Sequence, residues 1–132
     1  MNPITPQYLK ECGKYRAALA RSDERIARLR SEMERVTQAL SRVPAHGETR
    51  DRLAAQMAEL LAIEAERAEQ VVRLERRLTS VEEWLLTLPE QQATILRLRY
   101  IEGLSWKGVA GRAHYSIRHC VKIHKAALQR CP

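Results

Sequence analysis

The sequence feature that most restricts the fold is a mostly apolar seam that recurs in alternating steps of three and four. Its positions are Tyr8, Cys12, Tyr15, Leu19, Ser22, Ile26, Leu29, Met33, Val36, Leu40 and Val43. Such a heptad pattern predicts an α-helix that lays one face along another helix. Because this helix would be roughly 55 Å long at about 1.5 Å per residue, it is too long to fold back within a compact ball.

A second long helix is predicted after the break VPAHGET at residues 43–49, where Pro44 and Gly47 oppose a continuing helix. Its seam reads Leu53, Met57, Leu60, Glu64, Arg67, Val71, Leu74, Leu78, Val81 and Leu85. Two comparable helices joined by a short turn indicate an antiparallel, coiled-coil-like helical hairpin over residues 1–86.

Glu64 and Arg67 interrupt the second seam, and two interpretations fit them. They would form a polar layer that sets the register of the hairpin, or the helix would rotate there so that Leu61 and Ile63 face the partner helix. We favour the rotation.

The remaining segment, residues 87–132, predicts three short helices. Pro89 suits the first turn of a helix that presents Ile95, Leu98 and Ile101 on one face and ends at Gly103. Ser105 is placed to cap a helix to about Ala113, and Ser116 to cap another over residues 117–128. The sequence therefore predicts an all-α fold, in which the hairpin precedes a three-helix domain of helix-turn-helix type.

Positive charge is concentrated in this last third of the chain. The net charge is +7, and residues 89–132 contribute +6 from eight basic and two acidic side chains. Such a balance favours an acidic partner such as nucleic acid. Because the sequence has no glycine-rich phosphate loop and no G-x-S-x-G motif, we expect a protein that is not an enzyme and needs no cofactor.

The cysteines and the apolar runs bear on the compartment. Cys12, Cys120 and Cys131 are an odd number without close pairing, which favours a reducing environment. No apolar run approaches the roughly 20 residues that span a bilayer, and MNPITPQYLKEC lacks the core of a signal peptide. We therefore expect a cytoplasmic protein with no membrane partner and no small-molecule substrate.

Two stretches carry a family resemblance. LPEQQATILRLRYIEGLSW, followed by YSIRHCVKIHKAAL, resembles region 4 of sigma-70-type factors. The same pattern after a long N-terminal hairpin resembles small phage and prophage transcriptional regulators of the RinA type. The resemblance implies a sequence-specific activator of phage or prophage late genes in the bacterial cytoplasm, with double-stranded DNA as its partner and RNA polymerase as a further candidate. The hairpin would supply a dimer interface or a polymerase-docking surface.

The sequence departs from the region 4 pattern at three positions. Gly108 stands where the pattern usually has Glu, which removes the reciprocal capping box, and Gly111 adds a second helix-weakening glycine. His114 occupies the turn position usually held by Gly, where a left-handed backbone is common.

The predicted contacts with DNA follow from the helix faces. In the last helix Cys120, Ile123 and Ala127 would face inward while basic side chains face outward. The candidates for base or nearby phosphate contact are Ser116, Arg118, His119 and Lys122, and those for phosphate contact alone are Lys107, Arg112 and Lys125. The alternative for these side chains is a solvated helical face. For Trp106 we prefer packing to a phosphate contact.

A zinc site at His119, Cys120, His124 and Cys131 is not expected, because adjacent helical residues point about 100° apart. Two other functions stay open: a DNA-packaging subunit like the small terminase, and a coiled-coil scaffold that binds a partner. The sequence also leaves open a monomer on an asymmetric site or a homodimer on half-sites about 34 Å apart.

Overall fold

A computed structural model describes residues 4–42 and 47–132, and within these ranges the chain is all-α without a strand. The long helices are α1, Pro6–Arg42, and α2, Gly47–Leu85, in hairpin-like packing. The short helices are α3, Glu90–Leu96, with a π-helical continuation Arg97–Ile101, then α4, Trp106–Ala113, and α5, Ile117–Leu128. The predicted all-α fold is confirmed. Of the predicted break, residues 43–46 lie outside the described residues, and α2 already begins at Gly47, which was expected to oppose the helix.

The chain divides into two compact units, which are named here for their position. The hairpin unit is Ala17–Val72, and the terminal unit consists of the described residues up to Arg16 together with Arg73–Pro132. The start of α1 and the end of α2 therefore belong to the same compact unit as the short helices. No helix in the described part of the chain is both long and apolar enough to cross a membrane.

The hairpin unit has a small apolar core where the two long helices meet. Leu29, Leu60 and Ile63 are buried, and Ile26 and Met33 pack against them. Every described position of the predicted first seam is buried or half-buried, as expected. The second seam departs from the prediction at Met57, which is 46% exposed.

The polar interruption of the second seam combines both interpretations. Ile63 turns into the core as the rotation predicts, but Leu61 is 59% exposed, so that part of the prediction was wrong. Two residues along a helix differ by about 200° in direction, and the two side chains therefore cannot face the same partner. The polar residues pair across the hairpin: Glu64 with Arg30 at 2.7 Å and Arg67 with Asp23 at 2.5 Å. Ser22, which is buried, donates a hydrogen bond to Gln70 at 3.2 Å.

A solvent-facing apolar stripe follows the opposite side of α2 in the hairpin unit. At about 100° per residue its members fall within a sector about 100° wide. All of them are exposed: Ala54, Met57, Ala58, Leu61, Ala65, Ala68 and Val72. Met57, Leu61 and Val72 are its large members, and each exposes between 46% and 59% of its surface. We refer to this set as the α2 stripe.

The terminal unit packs its short helices around an apolar core that comes from α3, α4 and α5. Its buried members are Ile95, Val109, Ala110, Cys120 and Ile123. Leu98, Leu104, Trp106 and Ala113 pack against them. Trp106 therefore packs on the core, as the preferred interpretation has it.

The helix that begins at Glu90 does not remain α-helical to Gly103, as the sequence prediction had assumed. From Arg97 to Ile101 it is a π-helix, in which the Glu102 N–H donates to the Arg97 carbonyl at 2.9 Å. As at any helix end, carbonyl groups of its last residues have no intrahelical partner. Arg16 supplies one: its Nη2 group donates to the carbonyls of Tyr100 and Ile101. Gly103 then ends the helix with a left-handed backbone, φ 72°.

Candidate nucleic-acid interface

The turn between α4 and α5 is fixed by two side-chain caps and one left-handed residue. Ser105 Oγ accepts the Gly108 N–H at 3.2 Å, and Ser116 Oγ accepts the His119 N–H at 3.1 Å. His114 adopts φ 61° and ψ 35°, the left-handed conformation that the sequence predicted for this position. Both predicted caps are confirmed, and α5 leaves the turn in a defined direction.

Helix α5 separates an apolar face from a basic face. Cys120, Ile123 and Ala127 are buried, as predicted. On the other side Arg118, Lys122 and Lys125 are exposed and fall within about 60° of one another. We refer to these three residues as the basic stripe. The exposed Gln129 lies on the same line and was not predicted, although its spacing of four from Lys125 is the signal that would have identified it.

Ser116 and His119 occupy the N-terminal end of α5, and both are exposed. The His119 ring meets the Tyr115 ring edge-on, with 4.8 Å between centroids. Since the Ser116 oxygen accepts the helix-cap hydrogen bond, its O–H remains available as a donor. Tyr115 and Ile117, which are 41% and 48% exposed, border this end and were missed by sequence reasoning, because apolar side chains carry no charge signal.

Lys107 and Arg112, the other predicted phosphate contacts, are exposed on α4. The structure thus exposes all seven predicted residues, two on α4 and five on α5 with its N-cap Ser116. This arrangement is compatible with the helix-turn-helix prediction, in which α4 would cross the phosphate backbone while α5 enters the groove. Contact with DNA itself stays a prediction.

Two of the basic residues counted in the C-terminal segment are engaged within the terminal unit. Arg97 pairs with Glu82 at 3.2 Å. Arg99 donates to the Leu104 carbonyl at 2.9 Å and lies 4.7 Å from the centre of the Trp106 ring. The other basic residues of the segment are all exposed: Lys107, Arg112, Arg118, Lys122, Lys125 and Arg130.

Burial favours the neutral forms of three titratable groups on or just after α5. Burial raises the pKa of the Cys120 thiol, and also that of Cys131. Burial, and secondarily the Arg99 guanidinium, lowers the pKa of His124, whose Nε2 lies 2.6 Å from the Tyr100 hydroxyl oxygen. His119 is exposed whereas the adjacent Cys120 is buried, so the two do not face a common point. Within the described ranges no three His, Cys, Asp or Glu side chains form a metal-ligand cluster.

These features define an all-α protein in which a long two-helix hairpin precedes short helices with a capped turn and an exposed basic face. The family model described as a protein of unknown function, DUF722, matches residues 15–130, and the chain belongs to that family. No curated protein and no solved structure matches the chain.

Proposed function

We propose that the protein is a sequence-specific DNA-binding regulator that reads the major groove with α5. The observation that carries this proposal is the basic stripe of Arg118, Lys122 and Lys125, which is exposed on a helix whose other face is buried. An exposed row of like charges repels itself, and an anionic partner relieves that repulsion.

The proposed roles differ along the helix. Arg118, near the N-terminus of α5, is suited to a bidentate contact with guanine, while Ser116, His119 and Lys122 contact bases or nearby phosphates. Lys107, Arg112 and Lys125 bind phosphates and set the register without reading sequence. From the resemblance to sigma region 4, we further propose an activator of phage or prophage late genes that acts in the bacterial cytoplasm together with RNA polymerase.

The test is fluorescence anisotropy with duplexes from the late-promoter region of the encoding genome, each compared with a scrambled duplex of equal length. We expect saturable binding at moderate salt that prefers the genomic sequence. Arg118→Ala should cost about 1–3 kcal/mol of binding and reduce the preference between the two duplexes. Equal affinity for both duplexes in the wild type would contradict sequence-specific regulation.

The matched control removes the same charge elsewhere. The double variant Arg118→Ala/Lys122→Ala is compared with Arg21→Ala/Arg35→Ala, two exposed arginines of the hairpin unit. Both doubles lower the net charge by two, so a general electrostatic effect would weaken both equally. We expect only the α5 double to lose the sequence preference.

The α2 stripe supports a second proposal, that two copies associate through their hairpins. At about 1.5 Å per residue the stripe is about 27 Å long, and with a helix width of about 10 Å it covers roughly 270 Å². This area is well below the roughly 800 Å² per partner of a standard interface. We therefore propose a weak homodimer.

Sedimentation velocity over a concentration series should detect a dimer that Leu61→Glu abolishes. A ring of eight or more subunits would instead favour a DNA-packaging function. If the protein keeps its biological activity in the Arg118→Ala/Lys122→Ala variant, that result would favour the alternative function of a coiled-coil scaffold.

A further inference from the structure

A cleft of about 490 Å³ lies within the terminal unit, away from the outward face of α5. Its walls come from α1, the π-helix, α4 and α5, with Lys10, Arg16, Arg99, Tyr100, Trp106 and His124 among the lining residues. The volume falls in the range of small-molecule sites, which are typically apolar clefts with a few polar groups. The DNA-binding proposal makes no use of this cleft.

The charge of the lining favours an anion. Lys10, Arg16 and Arg99 all border the cleft, and the described residues that line it include no carboxylate. The neighbouring acid on α1, Glu11, is already paired with Arg77 at 2.8 Å. A carboxylate or phosphate group in the cleft would therefore meet three positive charges, for which the described lining supplies no carboxylate.

The Arg16 guanidinium is fixed by hydrogen bonds and still has an N–H donor without an acceptor among the described residues. Its Nη2 group is fixed by the carbonyls of Tyr100 and Ile101, and its buried Nε–H has no hydrogen-bond acceptor among the described residues. A guanidinium group carries five N–H donors in a planar fork. Leaving one of them buried and unsatisfied is costly, and an acceptor from a ligand would remove that cost after a small shift of the side chain.

The rest of the wall is aromatic. The Tyr100 and His124 rings stack with centroids 5.7 Å apart, and the Trp106 ring meets His124 edge-on at 4.9 Å. Burial lowers the pKa of His124, which favours the neutral form of this ring. Flat aromatic walls of this kind favour a planar, apolar partner attached to the anionic group.

Two features of the backbone lie on the wall of the cleft. The π-helix that presents Arg99 and Tyr100 is a rare conformation that occurs frequently at functional sites. Gly13, on the α1 wall, leaves free space, since a Cβ atom added there would meet no described atom within 4 Å. The wall at Gly13 therefore has room for a ligand or for a larger side chain.

We propose that this cleft binds a small organic anion with a planar ring, such as an aromatic carboxylate. The site is independent of DNA binding, since it uses none of the residues proposed to contact DNA. A ligand there would tie the start of α1 to the π-helix, α4 and α5 within one compact unit.

The test uses the full-length protein without DNA and benzoate as the probe. Trp84 is buried and Trp106 borders the cleft, so Trp84→Phe leaves Trp106 as the single tryptophan, which can be excited selectively over the four tyrosines. We expect a saturable change in Trp106 emission with benzoate, and a response at least tenfold weaker with neutral benzamide. Amide NMR spectra of the wild type should shift at the lining residues under the same titration. No saturable response to benzoate, or an equal response to benzamide, would overturn the proposal.

Two variants test whether benzoate binds in this cleft. Gly13→Leu should fill the cleft and abolish the response to benzoate, and because it removes a helix glycine it should leave the protein folded. Gly111→Ala is the matched control: it replaces an exposed helix glycine outside the lining, where an added Cβ also meets no described atom within 4 Å. We expect it to retain binding. Unchanged binding in a folded Gly13→Leu variant contradicts the site.

Inorganic phosphate and a short duplex distinguish a small organic anion from the DNA backbone. If benzoate occupies a separate site, the duplex leaves the benzoate titration unchanged and phosphate binds at least tenfold more weakly than benzoate. Displacement of benzoate by the duplex, with phosphate binding as well as benzoate, would assign the cleft to a DNA phosphate and overturn the proposal.

Discussion

At the residue scale, His114 carries the clearest local strain. It is the one non-glycine residue with positive φ in the described part of the chain, and the left-handed region costs an L-residue roughly 1–2 kcal/mol. His114→Gly removes the steric cost but adds freedom to the unfolded chain. We therefore expect a net gain of about 0.5–1 kcal/mol in the free energy of unfolding, measured with urea.

A second substitution at the same position, to a residue that disfavours positive φ, checks the cause of that gain. His114→Val places a β-branched side chain, which tolerates positive φ least, at the same exposed position. It should lose about 1 kcal/mol or more. If the glycine and valine variants were equally stable, backbone strain at His114 would not explain the change in the free energy of unfolding.

His124 predicts how stability depends on pH. Its pKa in the folded protein is lowered from 6.5 by burial and by Arg99, so the unfolded chain binds a proton more readily than the folded one. The free energy of unfolding should therefore fall as the pH drops from about 6.5 towards the lower pKa of the folded protein, and His124 should cause no such loss above about pH 6.5. His124→Gln should flatten the pH dependence in urea titrations between pH 5 and 8.

A control separates His124 from the other histidines. His119→Gln changes an exposed ring on the opposite side of α5. This variant should keep the pH dependence of the wild type. A flattened dependence in His119→Gln, or an unchanged one in His124→Gln, would assign the effect to a different group.

At the element scale, the adjacent residues Ile63 and Glu64 allow an apolar contact and an ion pair to be compared in their contributions to the stability of the hairpin unit. Ile63 is 4% exposed in the core with Leu29 and Leu60, whereas Glu64 forms an ion pair with Arg30, whose side chain is 64% exposed. Ile63→Ala should cost about 2–4 kcal/mol in the free energy of unfolding. Glu64→Ala should cost no more than about 0.5 kcal/mol, because exposed ion pairs contribute little.

Urea unfolding followed by helical circular dichroism measures both variants. Arg67→Ala is a second control, since its partner Asp23 is also exposed. A large loss in Glu64→Ala with a small one in Ile63→Ala would mean that the polar pairs, and not the apolar seam, hold the hairpin unit together.

Much of this element structure could be predicted from the sequence because each signal was local. Ser105, Ser116 and Gly103 act on the backbone within a few residues, and the caps and the chain reversal follow from their identities. The heptad spacing likewise predicted both long helices. Interrupted periodicity was less informative, and Leu61 and Met57 were expected to face inward although they face solvent.

The features that sequence reasoning missed depend on contacts between distant residues. At the end of the π-helix Arg97–Ile101, the Tyr100 carbonyl accepts a hydrogen bond from Arg16, which lies more than 80 positions earlier in the chain. No local sequence pattern predicts such a partner. The same holds for the cleft, whose walls come from both ends of the chain. For the basic face, the exposed positions were predictable from charge and spacing, whereas its DNA partner remains a proposal.

At the scale of the whole molecule, the charge distribution leads to a prediction about salt. The net charge is +7, and once Arg97 and Arg99 are engaged internally the exposed basic groups of the C-terminal segment lie on or beside α4 and α5. For duplex DNA, the slope of log K against log salt is about −0.9 for each phosphate neutralised. The proposed phosphate contacts should therefore be measurable one by one as changes in slope.

Arg112→Ala/Lys125→Ala should make that slope shallower by about 2 while leaving the preference for the genomic duplex intact, since phosphate contacts carry no sequence information. Arg118→Ala should instead reduce the preference, because a lost base contact penalises the correct sequence most. Anisotropy titrations from about 50 to 200 mM salt separate the two effects. If both variants changed slope and preference in the same proportion, α5 would be acting as an undifferentiated basic surface, and its proposed division into reading and positioning residues would be wrong.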